Sequence, residues 1–117
     1  MEEDAIMQQL QALEDVKQSI AEHPLTLLIL KTRQCGVCEA VQAKADALLQ
    51  NQFSNINGIY LYVEDAPEST AEFLAFSSPL LLLFYEGKEV YRAARFILFD
   101  ELEHILSQYY ELLNSPS

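Results

Sequence analysis

Cysteine is the residue type in this chain with the spacing for covalent chemistry. Both cysteines of the 117 residues stand in Cys35-Gly36-Val37-Cys38. They follow an apolar run over residues 25–30 that reads as a buried strand, and amphipathic sequence comes after them. A strand that delivers two thiols to the start of a helix is a setting for reversible dithiol–disulfide exchange. The attacking species in that exchange is the thiolate, whereas an ordinary thiol is mostly protonated near neutral pH. A helix N-terminus offers unpaired N–H groups and a partial positive charge, and both favour the anion. Cys35 is expected at or just before the first helical turn. Cys38 then lies one turn further in on nearly the same face, within reach of a mixed disulfide on Cys35. Gly36 adds no bulk where another polypeptide must approach.

Two plainer readings compete. Cysteines are often small buried core residues, but two isolated thiols between a strand and a helix fit that poorly. A structural zinc needs four ligands. The chain offers two thiols and two distant histidines, His23 and His104, so no metal is expected. His23 is expected at a helix end and His104 on a helix surface. No paired-carboxylate hydrolytic site, phosphate loop or serine triad is recognisable.

Composition narrows the setting. Half of the residues are hydrophobic and only three are glycine, which suits one packed domain over residues 1–117 rather than a disordered chain. The formal net charge is −11, which argues against nucleic acid and anionic membrane as partners. No apolar stretch is long enough to span a bilayer. The start, Met1-Glu2-Glu3-Asp4, has the wrong charge for a secretory signal. A cytoplasmic location is therefore expected, where thiols are kept reduced and a close cysteine pair is more often catalytic than structural.

The elements that must position the thiols follow from periodicity. Residues 5–20 carry apolar side chains three and four apart, the mark of an amphipathic helix, which Pro24 ends. Residues 25–31 are the first strand, continuously apolar because both faces are covered. A helix over 35–51 follows, then a strand over 58–63 and a short helix reaching Phe76. Residues 80–85 form the third strand. Glu86-Gly87 is a hairpin tip, and 88–96 returns as an antiparallel edge strand. Asp100, with Glu103 three residues on, is expected to cap the last helix. The first two strands form a right-handed βαβ unit, and the hairpin completes a mixed four-stranded sheet with helices on both faces.

This order, the length and Cys35-Gly36-Val37-Cys38 together resemble a small cytosolic thioredoxin. Pro79, directly before the third strand, matches the cis-proline of that family. The resemblance covers nearly the whole chain and implies an α/β, thioredoxin-like fold. It also implies roles: Cys35 attacks, Cys38 resolves, and Ser78-Pro79 lies against the thiols, where the Ser78 backbone pairs with an extended substrate. Gln34, Gly36, Val37 and Arg95 fall on the implied substrate-binding surface. No bound cofactor is implied. The implied partners are disulfide-containing proteins, with a reductase or a low-molecular-weight thiol as electron donor.

The departures from the family pattern are specific. Gln34 stands where the family carries tryptophan, and Val37 where it carries proline. Ile29 occupies the place of a buried aspartate that accepts the resolving thiol's proton. Glu39 follows Cys38 where a basic residue is common, which disfavours a nearby thiolate; Lys31 and Arg33 either offset that charge or face solvent. Arg95 takes the place of a glycine on the docking surface, where a guanidinium can stabilise the Cys35 thiolate or hold an anionic group of a partner. Two functions from different classes remain. One is a thiol–disulfide oxidoreductase that reduces protein disulfides. The other is a thioredoxin-like binding module with weak or no redox turnover.

Overall fold

A computed structural model of the chain describes residues 6–115. Its centre is β2 (Leu25–Lys31), all seven residues of which are buried. On one side β2 pairs in parallel with β3 (Asn57–Tyr62), and β3 pairs in parallel with β1 (Gln8–Leu10). On the other side β2 runs antiparallel to β4 (Leu80–Tyr85), which pairs antiparallel with β5 (Lys88–Ala94). The sheet is therefore five-stranded in the order β1-β3-β2-β4-β5, one strand more than expected.

The extra strand corrects the reading of the N-terminal segment. Ala5, the expected start of the first helix, lies outside the described residues. Within the rest of that segment, Gln8–Leu10 is strand and the helix, α1, covers only Leu13–Glu22. The apolar spacing of Ile6, Leu10 and Leu13 fits a helix, but β3 leaves an open edge that the chain fills. Asp46 reinforces the choice by accepting the Ile6 and Met7 N–H groups at 2.7 and 3.1 Å. That contact spans about forty positions and leaves no local trace in the sequence.

Two layers of helix cover the sheet. Odd-numbered residues of β2, Leu25, Leu27 and Ile29, pack with Val41, Ala45 and Leu49 of α2 (Gly36–Gln52) and Leu102 and Leu106 of α4 (Phe99–Asn114). Even-numbered Leu28 and Leu30 pack with Val16 and Ile20 of α1 and with Phe73. The period of two along a strand delivers one set to each face, which is why β2 reads as continuously apolar. The segment expected as one short helix is a 3₁₀ turn at Val63–Asp65 and a single α-turn, α3 (Ser69–Glu72). Among the described residues no helix is long and apolar enough to cross a membrane.

The tip of the β4–β5 hairpin has positive φ at both Glu86 and Gly87, 54° and 81°, as a two-residue turn of this kind needs. The α4 expectation needs a correction. The N-cap is Leu98, which makes no side-chain cap hydrogen bond, and Asp100 lies inside the first turn. There its charge still faces the positive end of the helix, so the acidic pattern reflects the dipole rather than a capping box.

Gly58 fixes how closely α2 and the N-terminal segment approach β3. A Cβ there would stand 2.7 Å from Leu49 Cδ1 and 3.0 Å from Met7 Cγ. Both side chains are buried, so neither has open space to enter. Gly58→Ala is expected to destabilise the fold by about 1–3 kcal/mol, the cost of overpacking a closed core, measured as a lower urea midpoint at unchanged slope.

Candidate redox site

The site forms where β2 hands over to α2. Residues 32–34 make the crossing, and Gln34 takes a left-handed conformation, φ 60°, that turns the chain into the helix. Cys35 is the N-cap of α2: its sulfur accepts the Cys38 N–H at 3.1 Å. One free donor of the helix N-terminus, the Cys38 N–H, thus meets this sulfur. Cys35 and Cys38 are joined as a disulfide with Cα atoms 5.3 Å apart, within the ordinary span for such a bond. Cys35 is partly exposed and Cys38 fully buried, so only the first sulfur faces an incoming molecule.

The Ser78–Pro79 peptide bond is cis, and the segment lies against the sulfurs. Ser78 Oγ is 3.1 Å from Cys38 Sγ and 3.2 Å from Thr32 Oγ1. Pro79 is tied to the far strand end, where the Arg95 N–H donates to its carbonyl at 2.7 Å. Arg95 has φ 65°. The backbone thus keeps the left-handed shape that suits glycine, although an arginine occupies the position.

Gly36 and Val37 are exposed, and Val37 lines an open groove with Arg95, Phe96, Ile97, Leu98 and Lys44. Gln34 is exposed as well. The structure thus gathers Cys35, Cys38, Ser78 and Pro79 tightly and sets Val37 and Arg95 on one adjoining surface. The Arg95 guanidinium lies over the Phe96 ring at 5.6 Å. Ile29 is fully buried among apolar side chains, so the β2 position of an acidic proton acceptor holds no polar atom.

Sequence reasoning missed the surroundings of Lys31. This lysine is 1% exposed. Its ammonium donates to both Glu39 carboxylate oxygens at 3.1 Å and to Gln42 Oε1. The Tyr60 and Tyr62 rings lie 4.2 and 4.6 Å away. Arg33 approaches the same Tyr62 ring at 4.2 Å and forks onto Asp65 at 2.9 and 3.0 Å. Of the two open readings, the offset of Glu39 therefore holds for Lys31, while Arg33 pairs with Asp65 instead. The available signal was the lysine ending a fully buried run, with tyrosines alternating two apart on the next strand. Nothing in the sequence pointed to Thr32. His23 sits at the end of α1, its Nδ1 2.8 Å from the Ser19 carbonyl, and His104 is exposed on α4.

The Tyr62 hydroxyl donates to Glu39 at 2.8 Å. That bond and the Lys31 contact hold the Glu39 carboxyl below its ordinary value of 4.5, against the opposing effect of burial. The same bond raises the Tyr62 phenol. Arg33 likewise holds Asp65 below its usual range, by hydrogen bonding first and charge second.

The fold and this cysteine pair define the class of thioredoxin-like proteins. No protein-family model matches the chain. It is 34% identical over 103 residues to the thioredoxin-like protein YdfQ of Bacillus subtilis, covering 88% of this chain and 91% of the relative. It is 28% identical over 94 residues to a thioredoxin of Porphyra purpurea, covering 80% and 88%. Among solved structures, oxidised thioredoxin from Plasmodium falciparum superposes with TM-score 0.79 at 14% identity, over 89% of this chain and 98% of that one. Thioredoxin NaTrxh from Nicotiana alata gives 0.80 at 19%, over 92% and 96%. The chain belongs to the thioredoxin-like family, and its fold and close cysteine pair equip it for thiol–disulfide exchange.

The Glu39 contact carries a pH signature. A carboxyl whose folded pKa is depressed adds stability that is complete above its unfolded value and is lost as pH falls through the folded value. Glu39 is half exposed, so the effect is moderate. Tyr62→Phe keeps the ring against both cations and removes only the bond to Glu39. Its urea midpoint is expected to fall below that of the wild type at neutral pH, with the gap closing as pH drops below about 4.5.

Proposed function

We propose that the protein is a thiol–disulfide oxidoreductase that reduces disulfides of polypeptide substrates. One observation carries the reading: a partly exposed sulfur, Cys35, caps a helix by accepting the Cys38 N–H, while its buried partner waits one turn below. In this cycle the Cys35 thiolate attacks a substrate disulfide and a mixed disulfide forms. Cys38 then attacks Cys35, the reduced substrate leaves, and the Cys35–Cys38 disulfide remains. A reductase or a low-molecular-weight thiol restores the dithiol, and no bound cofactor takes part.

The substrate lies along Ser78-Pro79 and across Gln34, Gly36 and Val37. Its flank enters the groove of Val37, Phe96 and Leu98, whose side chains are 56, 78 and 64% exposed. The groove favours an apolar residue beside an acidic one. Four of the seven basic residues are ion-paired within the described residues. Lys44 and Arg95, which line this groove, are not among those four. In a chain of net charge −11, two cations lining one apolar groove that includes Val37 complement an acidic segment.

The wide apolar exposure and the buried Ile29 also favour the second reading, a docking module that does not turn over. One experiment separates the two. Cys38→Ser should accumulate covalent mixed disulfides with protein substrates that dithiothreitol releases, and Cys35→Ser should form none and lose at least about 100-fold in disulfide reduction. Partners held without a covalent bond, with no turnover by the wild type, would establish the docking module instead.

Arg95→Gly preserves the left-handed backbone and removes the side chain, with its charge and its contact with Phe96. It should lower kcat/KM about two- to fivefold for a substrate with an acidic residue near its cysteine. A matched neutral substrate should be unaffected, and the difference should shrink in high salt.

A further inference from the structure

The resolving thiol needs a route for its proton, and the position expected to supply one, Ile29, is wholly apolar. Cys38 is 0% exposed, so water does not reach it directly. Its sulfur does meet one hydroxyl. Ser78 Oγ lies 3.1 Å away and Thr32 Oγ1 lies 3.2 Å beyond that. Ser78 and Thr32 are only partly buried, and both line an open groove with Ser77, Thr70 and Phe76. The two hydroxyls therefore connect a closed-off sulfur to solvent on the side of the sheet opposite α2.

We propose that Ser78 and Thr32 form a proton relay for Cys38. The inference rests on the oxidoreductase reading and assigns the missing acid–base function within it. In the oxidised state Cys38 Sγ has no hydrogen and is only an acceptor. Ser78 carries a single hydroxyl proton. When that proton points to the sulfur, Thr32 must donate to Ser78, and the chain of donors runs inward. In the mixed-disulfide state Cys38 is a thiol and the chain runs outward. The thiol proton passes to Ser78 Oγ, the Ser78 proton to Thr32 Oγ1, and the Thr32 proton to water in the groove. The hydroxyls are left pointing inward at a new thiolate, which they stabilise, since hydrogen bonds to the charged form favour it. Cys38 then attacks Cys35 Sγ. The Cys35–substrate bond breaks as Cys35–Cys38 forms, and the electron pair leaves on the substrate sulfur, which takes a proton from water.

The other ionisable groups around the sulfur are committed elsewhere. Lys31 of β2 and Glu39 of α2 bond each other, with Gln42 and Tyr62. Arg33 pairs with Asp65, and Glu64 accepts the Arg33 N–H. Arg95 is a permanent cation and cannot accept the thiol proton. Cys35 is bonded to the substrate at this step. The residues 77–79 that face Cys38 carry no titratable side chain. Ser78 is thus a catalytic residue by contact with the reacting sulfur, and Thr32 is a positioning residue that acts through it.

The test is stopped-flow reduction of an aryl disulfide, dithio-bis-nitrobenzoate, by the full-length dithiol protein across pH. The first nitrothiobenzoate reports capture by Cys35, and the second reports resolution by Cys38. Ser78→Ala should slow resolution about tenfold relative to capture measured in the same traces, and move the pH midpoint of resolution up by about one unit. Thr32→Val should shift the midpoint in the same direction by less, and Ser78→Thr should restore it. Wild-type resolution rates and midpoints in both Ser78→Ala and Thr32→Val would overturn the relay. If Ser78→Ala does not fold, Thr32→Val decides alone. A second measurement stands apart from turnover: in a Cys35→Ser background, the Cys38 thiol should titrate higher when Ser78→Ala is added. An unchanged titration there overturns the relay even if the oxidoreductase reading stands. A raised one supports it even if no protein disulfide is reduced.

Discussion

The structure depends on the burial of β2 along its whole length and on both faces. A strand so covered cannot slide, because a shift by one residue would move each side chain to the wrong layer. Leu25, Leu27 and Ile29 lock into the α2–α4 layer, and Leu28 and Leu30 into the α1 layer. Cys35 begins four residues after that strand ends. Its position is therefore inherited from a strand buried along its whole length. Burial at roughly 25 cal/mol for each square ångström of apolar surface supplies the force, and the handover from strand to helix converts it into placement of one sulfur.

Around that sulfur the chain solves familiar electrostatic problems with its own residues. Glu39 puts a negative charge immediately after Cys38, and Lys31 answers it from beneath, at 3.1 Å. A buried lysine is costly unless paired and bonded. Here it has a carboxylate, an amide oxygen and two aromatic faces. Tyr62 serves two partners at once, with its hydroxyl on Glu39 and its ring against Lys31 and Arg33. This cluster ties the end of β2, the first turns of α2 and β3 into one unit under the redox pair. An aromatic is thus present near the site, on the neighbouring strand, although the chain has no tryptophan.

Much of this was legible beforehand. The cysteine pair, the strand before it, the helix after it, Pro79 and the hairpin tip at Glu86-Gly87 all declare themselves by local chemistry and spacing. The N-terminal strand did not, because three residues pairing with an open edge leave no period of their own, and the Asp46 contact that holds them is distant in sequence. Asp100 misled because an acid in the first helical turn and an acid at the cap look alike. Lys31 was readable only as a charge at a strand end, since the sequence does not say that α2 closes over it. Ser78 was legible as a neighbour of the thiols through its backbone. Its hydroxyl contact with Cys38 and Thr32 depends on how two loops meet, and that is a property of the fold alone.

The cap on α2 has a consequence for the whole reaction cycle. The Cys35 sulfur accepts the Cys38 N–H, and divalent sulfur keeps lone pairs whether it is anionic, bonded to a substrate or bonded to Cys38. A lone pair is thus available to this helix donor in each covalent state the thiol passes through. Chemistry at this atom changes the strength of one hydrogen bond, and the scaffold beneath it can remain indifferent to the oxidation state it carries.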